Sequence, residues 1–160
     1  MILTVFTLFH VAISLVGLLS GFVAVFGLLR ARLLSGWTAT FLATTVATSV
    51  TGFLFPRDHF MPAHAIGIVS LIGLAVAIYA LYSRKLQGAW RKVYAVSAVL
   101  SLFLNMFVAL VQAFEKIPLL KGAAPTQSEP PFVLAQIVVM VLFIVLGWRA
   151  WVGFRVLAAG

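Results

Sequence analysis

The groups able to do acid–base or ligand chemistry are few in this 160-residue chain: three histidines (His10, His59, His64), three acids (Asp58, Glu115, Glu129) and no cysteine. Without cysteine there is no thiol nucleophile, no disulfide exchange, no thiolate zinc site and no iron–sulfur cluster. Imidazole chemistry remains. Two imidazoles at one depth on facing helices can hold a haem, and His10 with His64 is the pair at matching depth. Against it, the chain carries no haem-attachment motif, and the propionates would need donors such as Arg57. As metal ligands His10 and His64 are weak candidates. His59 and His64 bracket Pro62 and so do not share a helical face, and copper or zinc there finds a third ligand only in Asp58 or Glu115. His59 by itself reads as a solvated loop residue. A membrane enzyme would use His64 with Glu115 or Glu129 as acid and base. Nothing in the spacing fixes that geometry, so the reading leans away from catalysis.

Those side chains must be positioned by a chain that is 64% hydrophobic and only 9% charged, with a mean hydropathy of +1.19. Soluble domains are about a quarter charged, which excludes a water-soluble globule, a disordered chain and a coiled coil. Crossing about 30 Å of hydrocarbon takes about 20 apolar helical residues. Five runs fit, at about 3–29, 37–55, 63–83, 93–114 and 132–154. The unbroken run from Ile2 to Leu29 shows no alternation of the kind a β-barrel strand needs. The expectation is therefore all-α: a single integral-membrane domain over 1–160, a bundle of five transmembrane helices without internal repeat. Arg30, Arg32, Ser35 and Gly36 form the first break, and Pro56, Arg57, Asp58 and Pro62 the second. Arg84, Lys85, Gln87, Gly88, Arg91 and Lys92 form the third. The outer loop, 115–131, is the longest and holds Pro118, Pro125, Pro130 and Pro131, which cannot continue a helix.

Positive charge sets the orientation. Arg30, Arg32, Arg84, Lys85, Arg91, Lys92, Arg149 and Arg155 fall on one side. Arg57, Lys116, Lys121 and all three acids fall on the other. The N-terminus is expected outside and the C-terminus inside. The first run lacks a basic region before it and a small-residue cleavage signal after a short core, so it reads as a retained helix. The net charge of +8 gathers at the inner face, where it meets anionic lipid headgroups; it calls for no nucleic acid.

Small and polar residues at helical spacing mark helix–helix contacts. The first helix carries His10, Ser14, Gly17, Gly21 and Ala24 on one stripe; the second, Thr40, Thr44, Thr48 and Thr51; the fourth, Ser97, Ser101, Asn105, Ala109 and Gln112. Helix packing accounts for all three stripes. Counting from the first basic residue at each inner end places His10, Thr51, His64, Gln112 and Gln136 at one level near the outer edge of the hydrocarbon. A deeper level holds Ser14, Thr48, Ser70 and Asn105, and the Asn105 amide needs a partner there, with Ser14, Thr48 or Ser70 as the expected bridge. The segment Ala124 to Phe132 packs Thr, Gln, Ser and Glu between prolines. It reads as a shaped lid or as a helix entry, with Ser128 as N-cap, Pro130 and Pro131 in the first turn and Glu129 at the positive helix end.

Five helices in this length are similar to the tryptophan-rich sensory, or translocator, proteins that bind porphyrins and sterols. Their Trp-Pro and paired-proline pattern after the first helix is absent here. Trp37, Trp90, Trp148 and Trp151 sit at helix ends as interfacial anchors, so that function is not carried over. The strings Thr51-Gly52-Phe53-Leu54-Phe55-Pro56, Pro62-Ala63-His64-Ala65-Ile66-Gly67, Gly88 to Tyr94, Leu104-Asn105-Met106-Phe107 and Ala124 to Phe132 together resemble a family of small bacterial multi-pass membrane proteins with no characterised activity. That resemblance implies a bacterial inner-membrane protein, with His64, Asn105 and the outer loop as residues of interest. The reading that follows is a non-catalytic binder of a small amphipathic ligand such as a lipid, quinone or porphyrin. Its polar pocket would comprise His10, Thr51, His64, Asn105, Gln112 and Gln136 beneath Glu115 and Glu129. Otherwise the chain serves as an accessory subunit, in a homo-oligomer or a larger membrane complex.

Overall fold

A computed structural model of the chain describes residues 2–55 and 62–154. Arg57, Asp58, His59 and Arg155 lie outside the described residues, and with them the loop reading of His59 and the Asp58 ligand set.

The described residues are helical and contain no strand: α1 (Ile2–Leu29), α2 (Ser35–Phe53), α3 (Pro62–Ile78), α4 (Trp90–Lys116), α5 (Pro118–Ala123) and α6 (Pro130–Gly153). Four segments are long and apolar enough to cross a membrane, Leu3–Leu29, His64–Ser83, Trp90–Lys116 and Pro130–Gly153. The 19-residue α2 is not among them, because its hydroxyl side chains lower its hydropathy. At 1.5 Å per residue it is still about 28 Å long.

Three expected boundaries move. α4 begins at Trp90 and runs to Lys116, one turn longer than the expected 93–114 at its start. The expected loop 115–131 contains α5, which Pro118 opens from its first turn. α6 begins at Pro130, and its N-cap is Glu129 rather than Ser128, with no side-chain cap bond. At the other end of α3 the chain widens into a π-helical turn, Tyr79–Ser83. Leu86 N–H then closes it on the Ala80 carbonyl, with Lys85 and Leu86 both in the left-handed region.

Consecutive long helices run antiparallel, so the two ends of the bundle differ in chemistry. One end, called the basic end, collects Arg30, Arg32, Arg84, Lys85, Arg91, Lys92 and Arg149. The other, the loop end, carries α5 and the 124–129 segment. At the basic end Arg84 lies over the Trp90 ring, whose edge meets Tyr79, and Lys92 lies over Trp151. Such aromatic and basic clusters suit a membrane–water boundary. α4 is the central helix: it packs on α1, α3 and α6, while α2 fills the gap between α1 and α3. The tightest core lies toward the basic end, where Leu28, Phe41, Leu74, Tyr94 and Leu102 are almost fully buried.

Candidate functional site

The α1–α2 contact is a ladder of small and polar residues. His10 Nδ1 meets Thr51 Oγ1 at 2.7 Å, Ser14 Oγ meets Thr48 Oγ1 at 3.4 Å, the open face of Gly17 meets Thr44 and Thr45, and that of Gly21 meets Phe41. The steps of four and three residues on α1 match those on α2, which is the expected stripe brought into register. The expected level shared by His10 and Thr51 is thus a direct contact.

The proton inventory at that contact assigns the imidazole tautomer. Thr51 Oγ1 has one hydrogen, and it lies 2.7 Å from the Ala47 carbonyl, which can only accept. The hydroxyl therefore donates to Ala47, and His10 Nδ1–H donates to Thr51. This leaves His10 Nε2 as a hydrogen-bond acceptor. The ring lies edge-on to Phe55, which also packs on Phe6, and is half-buried at the loop end of the ladder.

Asn105 joins the ladder from α4. A Cβ on Gly17 would lie 3.1 Å from Thr45 Oγ1, 3.2 Å from Asn105 Nδ2 and 3.2 Å from Thr44 Oγ1, so three polar atoms converge on that glycine. Asn105 is 9% exposed and Thr45 1%, and neither Asn105 Nδ2 nor Thr45 Oγ1 has a hydrogen-bond partner among the described residues. The expected bridge from Asn105 to Ser14, Thr48 or Ser70 is replaced by these neighbours. Ser14 bonds the His10 carbonyl as well as Thr48, and Ser70 faces Ser49 at 3.3 Å.

The remaining residues of the expected ring are distributed around the bundle. His64 stacks on Phe53, ring centroids 5.6 Å apart. Phe53 is two residues from Thr51, about 200° around α2, so the two histidines pack on opposite faces of that helix. A haem iron needs both imidazoles on one axis, and this arrangement places a helix between them. Gln112 is exposed on α4. Extending the Gly17–Asn105 and Gly21–Leu102 register along α4 puts it level with His10, on another face. Gln136 has both amide atoms buried without a partner. The contacts Phe103–Phe143 and Phe114–Phe132 on either side of it place it between α6 and α4, at the level of Leu110.

Both acids are engaged within their own segments. Glu115 is exposed and pairs with the adjacent Lys116 at 3.3 Å. Glu129 accepts from Thr126 Oγ1 at 2.9 Å, from Thr126 N–H and from Ser128 N–H. Desolvation pushes its carboxyl up, but the hydrogen bond from Thr126 Oγ1 and those from backbone amides outweigh this and hold it below the ordinary carboxylate value. Gln127, in the left-handed region, then docks the segment by donating Nε2–H to the Val111 carbonyl at 3.2 Å. The segment is therefore shaped, and its anchor is α4.

Sequence reasoning missed Thr45, Thr38 and Tyr94. The Thr40–Thr51 stripe is offset from the most buried side of α2, which carries Thr38, Phe41, Leu42 and Thr45, while Thr40 is exposed. Thr45 stands next to Thr44, so the signal was one residue away. No family model, no curated protein and no solved structure matches the chain.

Proposed function

We propose that the chain is a five-span protein of a bacterial inner membrane, N-terminus outside and C-terminus inside, that binds the headgroup of a small amphipathic ligand at the loop end of the α1–α2 ladder. The observation that carries this reading is the His10–Thr51 pair, whose geometry holds Nε2 as a fixed acceptor at the mouth of a polar seam. A lipid hydroxyl or amide, the hydroxyl of a quinone in its quinol form, or a porphyrin's carboxylic acid O–H or ring N–H donates to Nε2, and the exposed apolar faces of α1 and α6 take its tail. The ladder narrows the expected pocket to His10, Ser14, Thr48 and Thr51, with Asn105 beneath. His64, Gln112 and Gln136 lie on other faces of the bundle and are no part of this pocket. Membrane lipids surround the bundle, and a second copy or a larger membrane complex is the further partner of this reading.

The test is purification in mild detergent followed by mass spectrometry of what co-purifies and visible spectra of oxidised and reduced protein. Retention of one stoichiometric ligand, lost in His10→Ala and weakened about fivefold in Thr51→Val by loss of one hydrogen bond of about 1 kcal/mol, supports the proposal. Equal retention in both variants contradicts it.

A further inference from the structure

Buried polar atoms without a hydrogen-bond partner in the chain concentrate along one line. Among the described residues they are Thr38 Oγ1, Thr45 Oγ1, Arg91 Nε, Tyr94 Oη, Asn105 Nδ2 and the Gln136 amide. All but Gln136 belong to α2 and α4, and they form layers. Thr45 and Asn105 converge on Gly17. Thr38 and Tyr94 turn their hydroxyls to each other and are 1% and 0% exposed, so this layer can close on itself, and the groups left open are Thr45 Oγ1 and Asn105 Nδ2. Between the two layers Phe41 and Leu102 close over Gly21, where a Cβ would lie 2.8 Å from Phe41 and 2.6 Å from Leu102. Toward the loop end the upper layer continues through Thr48 and Ser14 to Thr51 and His10. Toward the basic end Arg91, one turn from Tyr94 and partly exposed, ends the line. From Thr51 to Thr38 the column is about 20 Å long.

Packing alone does not call for this pattern. Most hydroxyls in the bundle bond the carbonyl four residues back, as Ser20, Thr44, Ser101 and, within the column, Ser14 and Thr51 do. Thr38 and Thr45 do not: Thr38 turns to Tyr94, while Thr45 Oγ1 and Asn105 Nδ2 are left unbonded among the described residues, which is costly in an apolar interior. The groups are suited to a transient polar partner, and the Gly17 face is packed closed against them, so only a partner as small as water can enter, and only when the layer loosens. The lining offers hydroxyls, an amide and an imidazole, which can hold water by hydrogen bonds; the water itself carries the proton, since the Thr51 and Ser14 hydroxyls donate to carbonyls. It has no carboxylate cage of the kind a metal ion requires.

We propose that the column from His10 to Tyr94 is a gated path for protons carried by water, with the Phe41–Leu102 layer as its gate. An apolar constriction closes such a path by excluding water, and displacing either side chain opens it. This goes beyond the ligand reading and does not rest on it.

The experiment uses the full chain in liposomes with an entrapped pH-sensitive dye, an imposed pH step and a potassium ionophore to dissipate charge. The wild type is expected to be nearly closed. Phe41→Ala is expected to raise proton flux about tenfold or more by wetting the constriction, and Leu102→Ala to raise it from the facing side. Adding Thr45→Val and Asn105→Leu to Phe41→Ala is expected to return flux to the wild-type rate. Leu74→Ala, a fully buried site on α3, reports the leak of a merely loosened bundle. Flux in Phe41→Ala no greater than in Leu74→Ala, or undiminished by the Thr45 and Asn105 changes, overturns the proposal. If Phe41→Ala does not insert, Leu102→Ala decides by the same comparison.

Discussion

The two halves of the bundle are built from the same helices on different terms. Toward the basic end the contacts are closed and mostly apolar, with the Thr38 and Tyr94 hydroxyls shut inside them: Leu28 is 1% exposed and Leu74 and Leu102 are 0%. Toward the loop end the helices are joined by hydroxyls, an imidazole and an amide, and residues such as Leu8 and Leu15 face outward. In lipid the apolar environment offers no hydrophobic drive to bring helices together, so close packing and hydrogen bonds must do it. The basic end uses packing density; the loop end uses directional polar contacts that leave groups available. Stability and chemistry are thereby placed at opposite ends.

The sharpest way to break this comparison is to remove matched leucines. Leu28→Ala opens a cavity in the closed half and is expected to cost about 2–5 kcal/mol. Leu15→Ala, on an outward face of the other half, should stay within about 0.5 kcal/mol. Unfolding by denaturant in detergent reads both, and equal losses would mean that the halves are not distinct.

Glycines give a smaller contrast of the same kind. Gly21→Ala drives a methyl into Phe41 and Leu102 and is expected to cost about 1–3 kcal/mol. Gly52→Ala meets only His10 Cε1, at an ordinary 3.8 Å, and should be nearly neutral in the same assay.

Much of this was legible from residue order and some was not. The stripe His10, Ser14, Gly17, Gly21 faces α2 and α4 as its spacing implies, and the shared depth of His10 and Thr51 became a bond. Depth is readable because helical rise is fixed. Facing is harder, because a lipid-exposed side of a membrane helix is as apolar as a buried one. That is why depth alone groups His64 with His10 although α2 separates them, and why the helical stripe runs through Thr40 while the buried residue is Thr45. In the helix-entry reading the cap of α6 falls on Ser128; it is Glu129, and its carboxylate collects the loop's hydrogen-bond donors.

The smallest expected effect is at the loop end. A carboxyl held below its ordinary value stabilises the folded loop above that value and loses the contribution as pH falls through the lowered one. The Thr126 amide resonance should therefore titrate with a midpoint below the ordinary 4.5, with no such step in Glu129→Gln. A midpoint at or above that value would show that the hydrogen bonds do not govern the carboxyl.

The central claim, a polar and accessible loop-end half against a sealed basic-end half, is tested most directly by single cysteines, which the native chain lacks. Thr48→Cys and Thr38→Cys stand on one helix, half-buried and 1% exposed respectively. The account predicts that a water-soluble thiol reagent labels position 48 readily in folded protein and position 38 only after unfolding. Equal labelling of the two, or faster labelling at 38, would contradict it.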